Sequence, residues 1–529
     1  MIRLRFSAFS LSAAISRAVL AALVTCLAGA ALACGDDDAA DTPSSTQSEG
    51  RVDLASAEAL ITVHFAEPGD VQPGGIAIAA GDFNDDGKQD LLLGAPYADG
   101  PGNERADAGE AYVIFGRDTP GDVDLARDEA GLVVFGALAG DNLGQGVAAG
   151  DLNGDGVDDV VLGATASNSL KDIRTDMGEV YVIFGGSGLS GTRDILEGAQ
   201  DFTLQPAEGF ARLGWALAIA DVNADGIADL IAGAPFGGRE PNTPPGGQRT
   251  SVGEVYIVYG SAELRGTRTV AMDQEDTRFF GLGAFDRFGQ SLAVADINGD
   301  DTLDIIVGAG GYDGGAEDGG AVFVFFGGDF ARATGAAQAD LRLTASVPFE
   351  GVGEELAVAD ANGDGRVDII AGAPTASGEG GQPGAGRVYV VPLPPGKKEI
   401  SIDATTATVL QATAGGQFVP AALLAADVTG DGVPDVVSGA PLSSAFARPA
   451  AGLVYVTTGP VSAGALLGSE EMTTIEGAAA NEALGWALCV TDLDGDGSPE
   501  LAIGAPVSGV NEAPGDSPGV VYVVSLAGQ

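Results

Sequence analysis

The chain has 529 residues and carries 75 acidic against 25 basic side chains, which gives a formal net charge of −50 at pH 7. A surface this acidic repels phosphate backbones and argues against nucleic acid as a partner. Three cysteines are too few for a disulfide framework, so an exported domain of this composition needs another kind of cross-link.

The first predicted element is an export signal over residues 1–33. Arginines but no acidic residues accompany an apolar stretch from Ala18 to Ala33, and an acidic run follows at once. The stretch is therefore too short for a stable membrane span. The next residue, Cys34, makes this region resemble the lipobox of bacterial lipoproteins, although Ala31 stands where leucine is usual. We expect lipidation of Cys34 and an outer-membrane location in a bacterial envelope, with simple secretion after cleavage as the alternative.

Residues 34–57 are polar, small and acidic, which predicts a flexible tether without fixed structure as far as about residue 55. The repeated domain is predicted over 58–529. Near its end Cys489 lies in an apolar run, so we interpret it as a small buried hydrophobic residue and not a nucleophile.

One nonapeptide recurs seven times at intervals of 64 to 75 residues. Oxygen-bearing side chains stand at its positions 1, 3, 5 and 9, and a glycine at position 6 permits a tight turn, as a hard divalent cation such as Ca²⁺ requires. We predict up to seven calcium sites. The candidate ligands are Asp82, Asn84, Asp86, Asp90; Asp151, Asn153, Asp155, Asp159; Asp221, Asn223, Asp225, Asp229; Asp296, Asn298, Asp300, Asp304; Asp360, Asn362, Asp364, Asp368; Asp427, Thr429, Asp431, Asp435; and Asp492, Asp494, Asp496, Glu500.

Two other interpretations of the nonapeptide were weighed. An EF-hand needs a carboxylate at position 12 and flanking helices, but Leu93 and Leu162 stand at position 12 and strand-like runs flank the loops. A solvated Asp/Gly turn would explain one copy better than seven in register. Among the seven, the fourth loop has Asp301 in place of the position-6 glycine, so we expect its site to be the weakest.

Each repeat reads as four strands in about 65 to 75 residues, with the metal loop between the first and the second. The sequence therefore predicts an all-β fold, a seven-bladed β-propeller of four-stranded antiparallel blades. The last repeat stops after its third strand, and an unassigned strand-like run from Leu60 to Phe65 precedes the first loop. We expect this N-terminal strand to complete the last blade and close the ring, with His64 structural within it.

The repeat unit resembles the FG-GAP repeat of the integrin α-subunit N-terminal propeller over roughly residues 58 to 526. The Phe-Gly element survives at Phe288, and the second and fourth blades depart slightly from Gly-Ala-Pro. That element stands at 94–96, 233–235, 372–374, 439–441 and 504–506. The resemblance implies seven blades with calcium loops in several of them. The 70-residue spacing of the second and third loops leaves no inserted domain, and no leg domains follow, so we do not expect an integrin β-subunit partner.

The predicted function is calcium-stabilised recognition or adhesion at the cell surface, by a monomer that binds an extracellular protein or polysaccharide and meets the membrane only through its lipid. A carbohydrate-active hydrolase or lyase and a purely structural envelope scaffold are the alternatives. We predict no enzyme, because there is a single histidine and the metal loops account for the recurring acids. Glu110, Glu179 and Glu254 recur in phase, but the sequence fixes no second acid beside them.

The loops between second and third strands are expected on the face opposite the metal loops, because consecutive strands run antiparallel. They are longer and hold several of the few basic residues: Arg105, Lys171, Arg174, Arg239, Arg249 and Arg448. Loops on a rigid scaffold are common recognition sites. We predict the segment 236–252, stiffened by three prolines, as the best ligand contact.

Overall fold

A computed structural model of the protein describes residues 51–527 except 57–58, 119–120, 128, 168–176, 207–210, 239–250, 271–273, 329, 446–447, 463–465, 470–471 and 508–517. The predicted export signal, Cys34 and most of the predicted tether lie outside the described residues. So does most of the segment 236–252.

The strands of the described residues are, in chain order, β1 (Arg51–Asp53), β2 (Ile61–His64), β3 (Ala77–Gly81), β4 (Asp90–Ala95), β5 (Glu110–Ile114), β6 (Val123–Asp124), β7 (Leu132–Phe135), β8 (Leu143–Gly150), β9 (Asp159–Ala164), β10 (Glu179–Ile183), β11 (Gly191–Asp194), β12 (Phe202–Gln205), β13 (Leu217–Ala220), β14 (Asp229–Ala234), β15 (Glu254–Val258), β16 (Gly266–Thr269), β17 (Thr277–Phe280) and β18 (Leu292–Ala295). They continue with β19 (Asp304–Ala309), β20 (Ala321–Phe325), β21 (Ala333–Gly335), β22 (Leu341–Ala345), β23 (Leu356–Ala359), β24 (Asp368–Ala373), β25 (Arg387–Val391), β26 (Glu399–Ile402), β27 (Thr408–Ala412), β28 (Leu423–Ala426), β29 (Asp435–Ala440), β30 (Leu453–Thr457), β31 (Leu466–Leu467), β32 (Thr473–Glu476), β33 (Ala487–Thr491), β34 (Glu500–Ala505) and β35 (Val520–Ser525). Short 3-10 turns occur at Pro101–Asn103, Leu125–Arg127, Ile195–Glu197, Ala336–Gln338 and Glu379–Gly381.

These strands form seven sheets, one for each repeat, which confirms the seven-bladed propeller. In the second blade β8, β9, β10 and β12 pair antiparallel in that order, as predicted for a four-stranded unit. Neighbouring first strands touch one another around the ring, and β3 of the first blade touches β33 of the last. The ring is therefore closed.

Each sheet also has a fifth strand that was not predicted. It is short and runs parallel to the fourth strand, and in six of the seven sheets it comes from the segment that follows the third strand of the next blade. For example, β11 leaves the second blade and pairs with β7 of the first. Every blade is thus held by its neighbour as well as by its own hairpins, and the outer edge of the fourth strand is covered.

Ring closure follows the prediction and adds one contact to it. β2 pairs antiparallel with β35, so the N-terminal strand supplies the fourth strand of the last blade. His64 pairs with Val520 in this ladder, which confirms its structural position. The structure corrects the predicted tether at its end, because β1 pairs parallel with β32 as the fifth strand of the sixth blade. The fixed structure therefore begins by Arg51.

The hydrophobic core lies between the blades. Second strands such as β4, with the sequence DLLLGA, are buried along their whole length because each sheet is covered on both faces by neighbouring sheets. The core clusters accordingly join residues of two adjacent blades, as where Ile61, Leu93 and Val523 meet across the closure. No helix in the described residues is long and apolar enough to cross a membrane.

The described cysteine, Cys489, lies in β33 on the inner side of the ring. Burial raises the pKa of its thiol to about 12. A thiol with so high a pKa is protonated at neutral pH and is a poor nucleophile, as expected, although the side chain is half-buried and not fully buried as predicted.

Candidate metal centres

The position-1 aspartate organises the backbone of each metal loop. In the second loop the carboxylate of Asp151 accepts N–H bonds from Asp155 at 3.1 Å and from Gly156 at 2.8 Å. The same two bonds recur in the first, third, fourth, fifth and sixth loops. The chain between positions 1 and 6 is therefore curled around one carboxylate.

Two left-handed residues make this curl possible. In the second loop Gly154 has φ 74° and Gly156 has φ 89°. In the fourth loop Asp301 occupies position 6 with φ 68°, a conformation that L-residues with a Cβ rarely adopt. The predicted defect of the fourth loop is thus present in its backbone, and the other six loops have glycine at this position.

The position-9 acid joins three segments of the blade. It is the first residue of the second strand and is buried in all seven blades. Asp159 accepts an N–H bond from Leu152 in its own loop at 2.9 Å, and another from Gly185, which follows the third strand, at 3.0 Å. This carboxylate therefore fixes the metal loop to the second and third strands.

Burial raises the pKa of these position-9 acids, and neighbouring loop carboxylates raise it further. The pKa is raised to about 7 for Asp90, Asp159 and Glu500, and to about 6 for Asp229 and Asp304. Asp368 has a pKa of about 6 for the same reasons. A divalent cation stabilises the charged carboxylate and so opposes both effects.

In the second to sixth loops the position-3 side chain donates a hydrogen bond to the carboxylate of the position-9 acid. The amide nitrogen of Asn362 lies 2.7 Å from a carboxylate oxygen of Asp368, and the hydroxyl of Thr429 donates to Asp435 at 3.1 Å. Two oxygens in the metal loops are buried and have no hydrogen-bond partner: the amide oxygen of Asn84 and one carboxylate oxygen of Asp492. A cation at the centre of the loop would satisfy such oxygens.

The seventh loop brings four acids together. One carboxylate oxygen from each of Asp492, Asp494, Asp496 and Glu500 lies within 4.8 Å of the others. Oxygens on opposite sides of Ca²⁺ are about 5 Å apart, so this spacing fits the ion. Within the described part of the chain it is the one group of acidic, histidine or cysteine side chains found to converge so closely. Each of the other loops has acids at ligand positions 1, 5 and 9 and an Asn or Thr at position 3.

Backbone hydrogen bonds join metal loops to the neighbouring blade. The position-2 carbonyl of a loop accepts an N–H bond from the segment after the third strand of the next blade, as where Gly186 donates to Phe83 at 2.9 Å. Arg117 donates in the same way to Leu493 across the ring closure, at 2.9 Å. A cation that stiffens one loop therefore acts on two blades.

Comparison with known proteins agrees with this architecture. The model of the FG-GAP repeat matches seven segments, one for each blade: 74–114, 143–183, 213–258, 288–325, 352–391, 419–457 and 484–524. The chain belongs to the FG-GAP repeat family.

Relatives of this FG-GAP propeller fall into two groups of larger proteins. Phosphatidylinositol-glycan-specific phospholipase D from Rattus norvegicus is 31% identical over 244 residues, 46% of this chain and 26% of that protein. The Homo sapiens phospholipase is 33% identical over 223 residues, 41% of this chain and 24% of that protein. Integrin alpha pat-2 from Caenorhabditis elegans is 29% identical over 248 residues, 44% of this chain and 18% of that protein. The matched part thus spans about a quarter of these relatives or less.

The opposite face of the FG-GAP propeller holds buried tyrosine–carboxylate pairs that sequence reasoning missed. In the first three blades the third-strand tyrosine donates to the glutamate two residues before it, as Tyr112 does to Glu110. In the fifth and seventh blades the acid comes instead from the loop before the first strand, where Glu350 and Glu482 accept from Tyr389 and Tyr522. The recurrence of Tyr two residues after Glu was the available signal.

The same face corrects two expectations. Asp70 lies close enough to Glu110 for the two charges to interact, so a second acid does stand beside one of the recurring glutamates. Arg105 forms an ion pair with Asp194, and Arg448 forms ion pairs with Asp53 and Glu476. These two arginines hold the propeller together and are not free cations for a ligand.

Proposed function

We propose that this FG-GAP propeller is a calcium-stabilised recognition head, carried outside the cell, that binds a protein or polysaccharide. The observation that carries the proposal is the convergence of four carboxylates in the seventh loop, within a loop architecture repeated in all seven blades. Three or four acids and an amide or hydroxyl oxygen around an irregular turn suit Ca²⁺, which accepts six to eight oxygen ligands.

The metal would act as a cross-link and not as a catalyst. Asp151 and Asp159 belong to different ends of one loop, and Asp159 is also bonded to the segment after the third strand. A cation held by both would fix the hairpin, and the bonds between neighbouring loops would carry this effect around the ring. The scaffold so formed presents rigid loops on both faces.

The recurring glutamates give little support to a catalytic alternative. A hydrolase or lyase acting on carbohydrate needs two acids that reach the substrate. Glu110 is only 8% exposed and Glu179 only 2%, and each is bonded to a tyrosine of its own strand. We interpret these acids as structural. The purely structural scaffold differs from the proposal only in having no ligand.

Attachment through Cys34 is part of the proposal and has a direct test. Cys34→Ala should move the protein from the membrane fraction to the soluble fraction without changing its calcium-dependent melting. A wild-type protein that is already free in the medium would contradict lipidation and favour cleavage after Ala33.

Calorimetric titration of the metal-free protein with Ca²⁺ tests the central claim. We expect up to seven sites and a melting temperature that rises with bound calcium, because the ion binds the folded state. Glycan and protein arrays, each probed with and without calcium, then test recognition. A single site or none, or melting that chelation leaves unchanged, would overturn the calcium role. Arrays without any calcium-dependent ligand would favour the scaffold.

A further inference from the structure

A cavity of about 570 Å³ opens beside the fifth metal loop. It lies between Asp364 and Arg366 of that loop and the connection Pro392–Lys397, which leaves the fifth blade for β26 at the outer edge of the fourth. Its volume is in the range of small-molecule sites. The metal ligands and the fold do not account for this cavity.

The cavity lies where a repeated contact is missing. In five blades a glycine after the third strand donates its N–H to the position-9 acid, as Gly185 does to Asp159. The fifth blade has Leu393 at this place, directly after Pro392, and the hydrogen bonds described for Asp368 come only from its own loop. The connection there is PLPPGKK, so its path is also stiffened by further prolines at 394 and 395. Such a wall needs little ordering when a ligand binds.

The cavity lining includes two cationic side chains, Arg366 and Lys397, in a protein that is strongly acidic. Among the described residues Arg366 and Lys397 form no ion pair, and both side chains are exposed. The two acids in the lining already have partners within the protein. Glu399 is paired with Arg342, and Asp364 accepts an N–H bond within the metal loop, where it is also a candidate ligand.

Most other described cations have a partner. Lys88, Arg105, Arg268, Arg287 and Arg387 all form ion pairs with Asp or Glu. Two exposed cations without a described ion pair at one cavity favour a negatively charged ligand.

The remaining lining indicates which kind of anion. Leu393, Ile400 and the proline rings offer apolar surface, while Ser401 offers a hydroxyl. Sugar rings have apolar C–H faces and hydroxyl edges, and a uronic acid adds a carboxylate that a guanidinium binds through two parallel hydrogen bonds. The cavity is open to the surface, so a polysaccharide chain could pass through it.

We propose that this cavity, defined by Arg366, Pro392 and Lys397, binds a uronate unit of an acidic polysaccharide. The inference rests on the proposed recognition function and names a ligand class and a site for it. The site lies on the metal-loop face, beside a loop that calcium would hold in place.

The test titrates the full calcium-loaded chain with hexagalacturonate, neutral maltohexaose and hexaglutamate. We expect binding of hexagalacturonate alone. Arg366→Ala and Lys397→Ala should each weaken it about tenfold, the effect of losing one charge-assisted hydrogen bond. Lys397→Arg should keep most of the affinity. Arg127→Ala removes the same charge at an exposed position on another blade and should change the affinity less than twofold. Melting curves check that each variant is folded.

The outcomes separate this inference from the proposed function. Hexagalacturonate binding that neither substitution weakens would overturn the site while leaving recognition in place. Equal binding of hexaglutamate would overturn the saccharide assignment, and absence of binding to any of the three would overturn the inference. The proposed function would fail separately, if the arrays showed no ligand.

Discussion

The backbone at position 6 of the metal loop is the clearest single-residue constraint in the protein. Asp301 adopts φ 68° there, whereas the equivalent residue of the fifth loop is Gly365, with φ 85°. A residue with a Cβ is less stable than glycine in the left-handed region by about 1 kcal/mol. We therefore expect Asp301→Gly to raise the free energy of unfolding by about that amount and to tighten the fourth site, as measured by melting and calcium titration.

Gly365→Asp is the matched control, because it places the fourth-loop residue in the fifth loop. It should lower both stability and the affinity of the fifth site. The turn would not limit metal binding if Asp301→Gly raised neither stability nor the affinity of the fourth site, and Gly365→Asp lowered neither quantity for the fifth.

Asp70 is an acid away from the metal loops whose ionisation should affect stability. It is buried, its carboxylate accepts the N–H of Glu67 at 2.8 Å, and burial raises its pKa to about 7. An acid with a raised folded-state pKa contributes stability that is full below about pH 4 and is lost as the pH rises through about 7.

Asp70→Asn keeps the acceptor oxygen and removes the titration. The variant should therefore be more stable than the wild type at pH 8, by on the order of 1 kcal/mol, and gain nothing at pH 4. Denaturant unfolding at both pH values measures this. Asp122→Asn, at an exposed position, is the control for the loss of one carboxylate. A gain for Asp70→Asn at pH 4 as large as at pH 8 would contradict the assignment.

At the scale of elements, the strands that could be predicted are those with a strong apolar pattern. Second and third strands such as DLLLGA and EVYVI are continuously buried, and they follow the metal loops in the predicted order. The fifth strands could not be predicted. β11 has the sequence GTRD and is partly exposed, so it is fixed by the edge of the neighbouring blade and not by its own residues. β1, with the sequence RVD, lies in the predicted tether, and its pairing with β32 likewise depends on the edge of a neighbouring blade.

The closing strand β2 should be essential for the last blade. Val63 is fully buried in it, and its ladder covers the edge of β35. We expect deletion of residues 1–66 to lower the melting temperature and to cause association through the uncovered edge. Deletion of residues 1–47 retains β1 and β2 and should leave melting unchanged. Differential scanning calorimetry and light scattering distinguish these results. A monomeric 1–66 deletion with wild-type melting would show that closure adds no stability.

At the scale of the whole molecule, the net charge of −50 opposes the compact state when the metal loops are empty. Added salt screens this repulsion over about 10 Å at 0.1 M and less at higher concentration. We expect the melting temperature of the chelated protein to rise with NaCl, and that of the calcium-loaded protein to rise less. Equal shifts in the two forms would show that the loop carboxylates are not the main source of repulsion.

The candidate metal ligands were predictable because the ligand pattern is local, with all four side chains within nine residues. The cavity beside Arg366 was not, since its lining comes from a metal loop and from a connection that crosses to another blade. The tyrosine–carboxylate pairs could be predicted from the sequence only in part. Glu179 and Tyr181 are close in sequence, but Glu350 reaches Tyr389 only through the fold.

The pairing of β2 with β35 has a consequence for how the chain folds. His64 meets Val520, and Arg51 meets Thr474, so the two closing ladders join the most distant parts of the domain. Contacts of such high sequence separation form late, because the entropy of closing the whole chain opposes them until the other blades are in place. Blades one to five can form from nearby residues, whereas the sixth and seventh wait for both ends. A chain that emerges in order from a translocation channel would thus remain an open arc until its last strand appears.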